Sequence, residues 1–360
     1  MTALLRVEDL LVRFRTMGSL KALVTGTKAP FIDAVCGVSF EIRKGETLAL
    51  IGESGSGKST IARTIMGLQP ALSGSIRFDG HELTELSAAD RKPYLRQMAM
   101  TFQDPVGSLS PRLTVQSLLA EPFRIHGLKD HDARAEAERL LRMVGLPADF
   151  ARRYPHQLSG GQARRVGVAR ALAIDPDLII ADEPTAGLDV SVQGEVLNLL
   201  ARLQDELGMA ILIITHNLNV VRHMTDRMAI MYLGRLIEVG STGRIFNHAR
   251  HPYTEALLAA NPEPDPDAVL NRVELDGEVP SLMKRPSGCE FHTRCCYAQD
   301  ICIRAFPEAS TIPDDTEHSF KCHFPLPSER GDALTIRNPS YQKRILPYDR
   351  LYRLSGIRGH

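Results

Sequence analysis

Nine residues restrict the fold of this chain more than any others: Gly52 to Thr60, GESGSGKST, placed directly after the apolar run TLALI at residues 47–51. Gly52, Gly55 and Gly57 allow the backbone to wrap tightly and aim several N–H groups at one point. That geometry needs a strand to deliver the loop and a helix to follow it, because the helix N-terminus supplies further unpaired donors. TLALI is continuously apolar after its first residue, the pattern of a strand covered on both faces. Similar runs return at residues 178–181 (LIIA) and 211–214 (ILII), with helical patterns between them. This alternation predicts an α/β domain built on a parallel sheet.

The nonapeptide matches a phosphate-binding loop. Gly52, Ser54, Gly55 and Gly57 form the turn, Lys58 neutralises β- and γ-phosphate oxygens, Ser59 offers a hydroxyl to Mg²⁺, and Thr60 opens a helix predicted over residues 60–68. A second element supports a nucleotide site. The run LIIA ends in Asp182, able to hold Mg²⁺ through water, and Glu183, able to polarise a water beyond the γ-phosphate. Alone, two carboxylates after an apolar run make an ordinary strand end. Beside a phosphate loop they read as catalytic.

The remaining chain divides by composition. Strand-like runs occupy residues 5–14 and 38–42, separated by a Gly/Thr/Lys/Pro loop over residues 16–30. Residues 114–153 carry Leu, Val and Ala at helical spacing, and residues 228–239 read as a hairpin around Leu233-Gly234. NPEPDPD at residues 261–267 reads as a linker, and a polar, Arg-rich tail begins at Leu326. Lys plus Arg equals Asp plus Glu at 43 each, which gives no overall field for nucleic acid. The N-terminus lacks the pattern of a secretory signal, and no apolar run approaches the ~18–20 residues of a membrane span. A reducing compartment is therefore expected, with docking as the only mode of membrane association.

LSGGQ at residues 158–162, followed by the amphipathic ARRVGVARAL, decides between nucleotide-binding families. With it the sequence resembles an ATP-binding cassette ATPase over roughly residues 1–245. Gln103 in MTFQDP, Gly187-Leu188-Asp189 and His216 in ITHNL belong to the same resemblance, and Phe14 stands where that family stacks an aromatic on adenine. The resemblance implies a P-loop NTPase (RecA-like) core, an antiparallel β subdomain and a helical insertion at about residues 104–165. It implies ATP and Mg²⁺ as ligands, with Ser59, Gln103 and Asp182 around the metal and Glu183, His216 and Lys58 as the catalytic set. It further implies that Ser159, Gly160, Gly161 and Gln162 close on ATP held by a second ATPase subunit, of the same or a related chain. Asn217 stands where aspartate is common, and Cys36 where aspartate is common too; Cys36 is expected to be a small buried residue.

Five of the six cysteines fall in the last quarter of the chain. Within the family, HPYTEALLAA at residues 251–260, PSGC at residues 286–289 and the spacing of Cys289, Cys295, Cys302 and Cys322 resemble the oligopeptide/dipeptide permease ATPases. That resemblance implies a small C-terminal domain over residues 246–325 with a [4Fe-4S] cluster on those four thiolates, and leaves residues 326–360 as an unassigned tail. Read from the residues alone, Zn²⁺ suits four cysteines equally, and disulfides rank third. Cys296 competes with Cys295 for the second ligand position; Cys295 is the choice. The resemblance also implies two transmembrane permease subunits and, indirectly, a periplasmic or surface solute-binding protein, with this chain peripheral on the cytoplasmic face of the inner membrane. The expected function is to hydrolyse ATP for import of di- or oligopeptides or a related solute. The competing reading is a soluble cassette ATPase acting on nucleic acid or ribosomes, disfavoured by the single cassette and the neutral charge.

Overall fold

A computed structural model describes residues 3–15, 31–101, 107–128, 132–260, 277–312 and 315–327. The chain separates into two compact units, Met1–Gly243 and Arg244–His360. Gln103, the loop over residues 16–30, the linker over residues 261–267 and the tail beyond residue 327 lie outside the described residues.

The first unit holds two sheets. Strands β1 (Ala3–Arg15) and β2 (Phe31–Arg43) pair antiparallel along their lengths, and the order β2-β1-β4-β5 is completed by β4 (Ser73–Phe78) and β5 (His81–Glu82). This is the expected antiparallel subdomain. β2 begins well before the run read from the sequence, because Asp33 and Gly37 interrupt the apolar alternation there. Both irregularities are absorbed by register shifts in the β1–β2 ladder, with Gly37 at φ +62°.

The second sheet is the parallel core. It takes the order β10-β9-β3-β8-β7-β6, from β3 (Thr47–Ile51), β6 (Met98–Thr101), β7 (Leu178–Asp182), β8 (Ala210–Thr215), β9 (Arg227–Tyr232) and β10 (Arg235–Ser241). All neighbours are parallel except β9 and β10, which form the expected hairpin. Every residue of β3, β7 and β8 is buried, as their unbroken apolar runs require. Leu233 and Gly234 turn the hairpin at φ +42° and +83°, the left-handed pair that a two-residue connection needs. This turn also reaches outward: the Gly234 N–H donates to the Ser56 carbonyl at 2.9 Å and its carbonyl accepts from Cys36 at 2.8 Å.

Helices fill the connections. α1 (Lys58–Ile65) buries Ile61, Ala62 and Ile65 and ends before residue 68 because Gly67 takes φ +71°. It is followed by α2 (Ala88–Leu95). The region at helical spacing forms α3 (Val115–Ile125), capped by Thr114, and α4 (Ala133–Met143), capped by Asp132. Their buried faces carry Val115, Leu118, Leu119 and Phe123, and Ala137, Leu140 and Leu141, at the i, i+3/i+4 spacing that packs one helix face. α5 (Gly160–Ala171), α6 (Val190–Leu207) and α7 (Leu218–Met224) complete the unit.

Among the described residues of the second unit the regular elements are short. α8 (Thr242–Asn247) leads into it, and α9 (Pro252–Ala259), α10 (Asp300–Arg304) and the hairpin of β11 (Ser310–Ile312) with β12 (Asp315–Phe320) follow. Its core stacks Tyr253 edge-on against Phe291 at 5.4 Å and pairs Arg285 with buried Glu290 at 2.6 Å. His251 caps α9 by accepting from the Tyr253 N–H at 3.0 Å.

Candidate nucleotide site and cysteine cavity

In the first unit, β3, β7 and β8 end at one edge of the sheet, with Ile51 level with Thr215 and Asp182 level with Ile214. Ligands of parallel α/β sheets bind at this edge. The phosphate loop leaves β3 here. Gly52 lies so close to β9 that a Cβ would meet the Met231 carbonyl oxygen at 2.1 Å, and at Gly57, φ +106°, a Cβ would meet that of Ala34 at 2.4 Å. No side chain fits at either position. Ser54 and Gly55 are exposed on the loop's outer rim, and Thr60, in the first turn of α1, accepts from the Thr64 hydroxyl at 2.8 Å.

The buried Lys58 ammonium donates to the carbonyls of Gly52 at 2.7 Å and Glu53 at 2.9 Å and to the Ser56 hydroxyl at 3.3 Å. Desolvation lowers its pKa, against the attraction of Glu183 and Asp182. Asp182 is shifted upward, again by desolvation first, although the Ser59 hydroxyl donates to it at 3.1 Å. A cation entering between Ser59 and Asp182 would meet an oxygen from each and relieve the cost of burying that carboxylate.

Glu183 follows at φ +50°, a left-handed backbone uncommon for a residue with a side chain. Its carboxylate lies 2.8 Å from Nδ1 of His216, whose ring is 72 % exposed at the end of β8. Asn217 caps α7, accepting from Asn219 and Val220, so the amide fills the capping role open to an aspartate. Its Nδ2 also donates to Gln193, which in turn donates to the Leu188 carbonyl.

Ser159 is the N-cap of α5. Its hydroxyl accepts from the Gln162 N–H at 3.2 Å while the Gln162 side chain accepts from the Ser159 N–H at 3.0 Å, a reciprocal capping box. Ser159 and Gly160 are exposed, whereas a Cβ on Gly161 would meet Val192 at 2.8 Å. Asp189 caps α6. Phe14, 37 % exposed, sits opposite Ile32 on the β1–β2 ladder, and Cys36 is buried in β2 with its thiol toward the Asp33 carbonyl.

Sequence reasoning missed Arg164. It is buried on α5, and its guanidinium donates to the carbonyls of Glu183, Pro184 and Ala186. No motif carries that signal, because the contact joins residues 19 to 22 positions apart through the fold.

In the second unit, Cys289, Cys295, Cys302 and Cys322 line one cavity, together with His251, His292 and His323. Cys296 is absent from that lining and shares a side-chain hydrogen bond with Tyr297. Gly288 allows the chain to close here: at φ +62°, a Cβ would meet the Cys302 carbonyl at 2.3 Å, the same carbonyl that accepts from the Cys289 N–H at 2.8 Å. Desolvation pushes the Cys289 thiol up to about 11 and that of Cys295 higher still. Among the described residues, no group of three or more His, Cys, Asp or Glu is placed to hold a metal ion. The four cysteines named from the sequence share one cavity.

Fold and site together define a P-loop NTPase. The family described as ABC transporter matches residues 35–186, and the one described as oligopeptide/dipeptide transporter, C-terminal region, matches residues 237–302. The oligopeptide transport ATP-binding protein AppF of Bacillus subtilis is 45% identical over 296 residues, 81% of this chain and 89% of AppF. The "Probable peptide ABC transporter ATP-binding protein y4tS" of Sinorhizobium fredii is 45% identical over 327 residues, 91% of each chain. Among solved structures, a dimeric post-hydrolysis state of the ATP-binding cassette MJ0796 bound to ADP and Pi superposes with a TM-score of 0.58 at 29% identity, covering 66% of this chain and 98% of that one. The chain belongs to the ATP-binding proteins of the ABC transporter family, in its oligopeptide/dipeptide group. It binds ATP with Mg²⁺ and is an ATPase.

Proposed function

We propose that this ATPase energises import of di- or oligopeptides through two permease subunits, fed by a solute-binding protein, from the cytoplasmic face of the inner membrane. Among the described residues no helix is long and apolar enough to cross a membrane, which accords with docking on such subunits. Residues 1–245 form the cassette, with the insertion at about residues 104–165 receiving the permeases, and residues 246–325 form the C-terminal domain; the tail over residues 326–360 has no assigned role. The break between compact units after Gly243 supports that division.

One observation carries the catalytic reading: Glu183 is held 2.8 Å from His216 at the sheet edge where Lys58, Ser59 and Asp182 converge. Lys58, Thr60 and the backbone of Gly52, Ser54, Gly55 and Gly57 would hold the phosphates, Ser59, Gln103 and Asp182 would hold Mg²⁺, and Phe14 would cover the adenine. Glu183 accepts the proton of the attacking water and His216 orients it. Ser159, Gly160, Gly161 and Gln162 close on the γ-phosphate of a second subunit, whose helix-terminal donors act only in the closed pair. Reconstituted with its permeases in vesicles, the protein should take up peptide only with ATP. Glu183→Gln should cut turnover about 100-fold or more while leaving ATP affinity within a few-fold; uptake persisting in that variant would overturn the reading.

The cysteine cavity supports a finer reading, that Cys289, Cys295, Cys302 and Cys322 hold a [4Fe-4S] cluster or, alternatively, Zn²⁺. The donor type fits a thiophilic guest, which would favour the thiolate form and cross-link the segments that carry the four cysteines.

A further inference from the structure

The mechanism leaves unexplained how Glu183 keeps its unusual backbone. A left-handed conformation at a residue with a Cβ persists only where surrounding bonds over-determine it. On one side the Glu183 N–H donates to the Ile214 carbonyl of β8 at 2.8 Å. On the other, Arg164 grips the outgoing chain: Nη1 donates to the carbonyls of Glu183 at 3.2 Å and Pro184, and Nη2 to that of Ala186 at 2.8 Å. Three acceptors converge on one planar cation, an arrangement that suits guanidinium and not a point charge.

The position of Arg164 matters as much as its bonds. It sits on α5, the helix that begins with Ser159 and Gly160, five residues from the cap and about 7–8 Å along the axis. Farther along, Arg170 donates to the carbonyl of Ser108 at 3.0 Å, shortly after the segment that carries Gln103. At the cap itself, Gly161 packs on Val192 and Gly160 faces Leu188. A rigid helix therefore joins the end that faces a second subunit's nucleotide to the peptide units that aim the chain's own Glu183.

We infer that Arg164 is a positioning residue, which fixes the Glu183 carboxylate for hydrolysis and relays the seating of the Ser159 end of α5 to it. The inference rests on Glu183 being the catalytic base. It acts through that side chain, so its effect must vanish when the carboxylate is gone. The test is a double-mutant cycle on the full-length protein, measuring single-turnover ATP hydrolysis, ATP affinity and thermal midpoint. Arg164→Lys should lower the turnover number about 10- to 100-fold with ATP affinity changed less than 3-fold. In the Glu183→Gln background the same substitution should change the residual rate less than 2-fold.

Arg164→Gln serves as a second variant should the lysine fold poorly, and bound ATP analogue reports folding in each. Turnover within 2-fold of wild type in a folded Arg164 variant would overturn the proposal, as would an equal loss with and without Glu183. A different result, Glu183→Gln turning over at the wild-type rate, would instead reject the catalytic reading beneath it.

Discussion

The nucleotide site and the cysteine cavity are built on opposite plans. At the phosphate loop, the scaffold is backbone: glycines that admit no Cβ, a lysine ringed by three oxygens, and a carboxylate bonded to Ser59 and shadowed by cations. At the cavity the functional groups are side chains, four cysteines and three histidines, with burial raising the pKa of the Cys289 and Cys295 thiols. The first site is braced by its own hydrogen bonds. At the second, a positive guest would favour the ionised thiols.

That contrast breaks most readily at Lys58. Lys58→Ala should lower ATP hydrolysis about 100- to 1,000-fold, read as turnover in vesicles, while circular dichroism stays native, because the loop's glycines and hairpin contacts hold its shape without the ammonium. An intermediate effect belongs to Gly288→Ala. The added Cβ meets the Cys302 carbonyl in a left-handed backbone, and should destabilise the second unit by about 2–4 kcal/mol, seen in denaturant unfolding, with ATP affinity of the first unit unchanged. The cavity's ligand set is sharpened by a paired comparison under anaerobic, reducing purification. Cys295→Ser should remove most bound iron or zinc, measured by elemental analysis, whereas Cys296→Ser should leave it within about a fifth of wild type, as expected for a thiol outside the lining. Equal loss in both would reassign the second ligand.

Much of the cassette could be read before any coordinates, for a physical reason. Strands buried on both faces must be apolar throughout, so TLALI, LIIA and ILII announce themselves, and the loop's chemistry sits in consecutive residues. Boundaries were less legible: β2 hides its start behind Asp33 and Gly37, and α1 stops early at Gly67. Least legible were contacts made by folding itself. Nothing in ARRVGVARAL marks Arg164 as the holder of the Glu183 peptide, since any arginine on an amphipathic helix has the same local appearance. In the second unit the cysteine spacing pointed to a shared pocket, but not to the burial that raises the pKa of Cys289 and Cys295, which follows from folding and not from order along the chain.

The turn at Leu233-Gly234 has one more consequence. A two-residue turn between strands would be a protein engineer's natural choice for splicing in a tag or reporter, yet Leu233 and Gly234 are both buried. Here that choice would be a mistake, because Gly234 is fastened to Ser56 on one side and Cys36 on the other. Prying the hairpin open would tug on the ATP-gripping loop and on the neighbouring sheet at once, so a label placed there would double as an inhibitor.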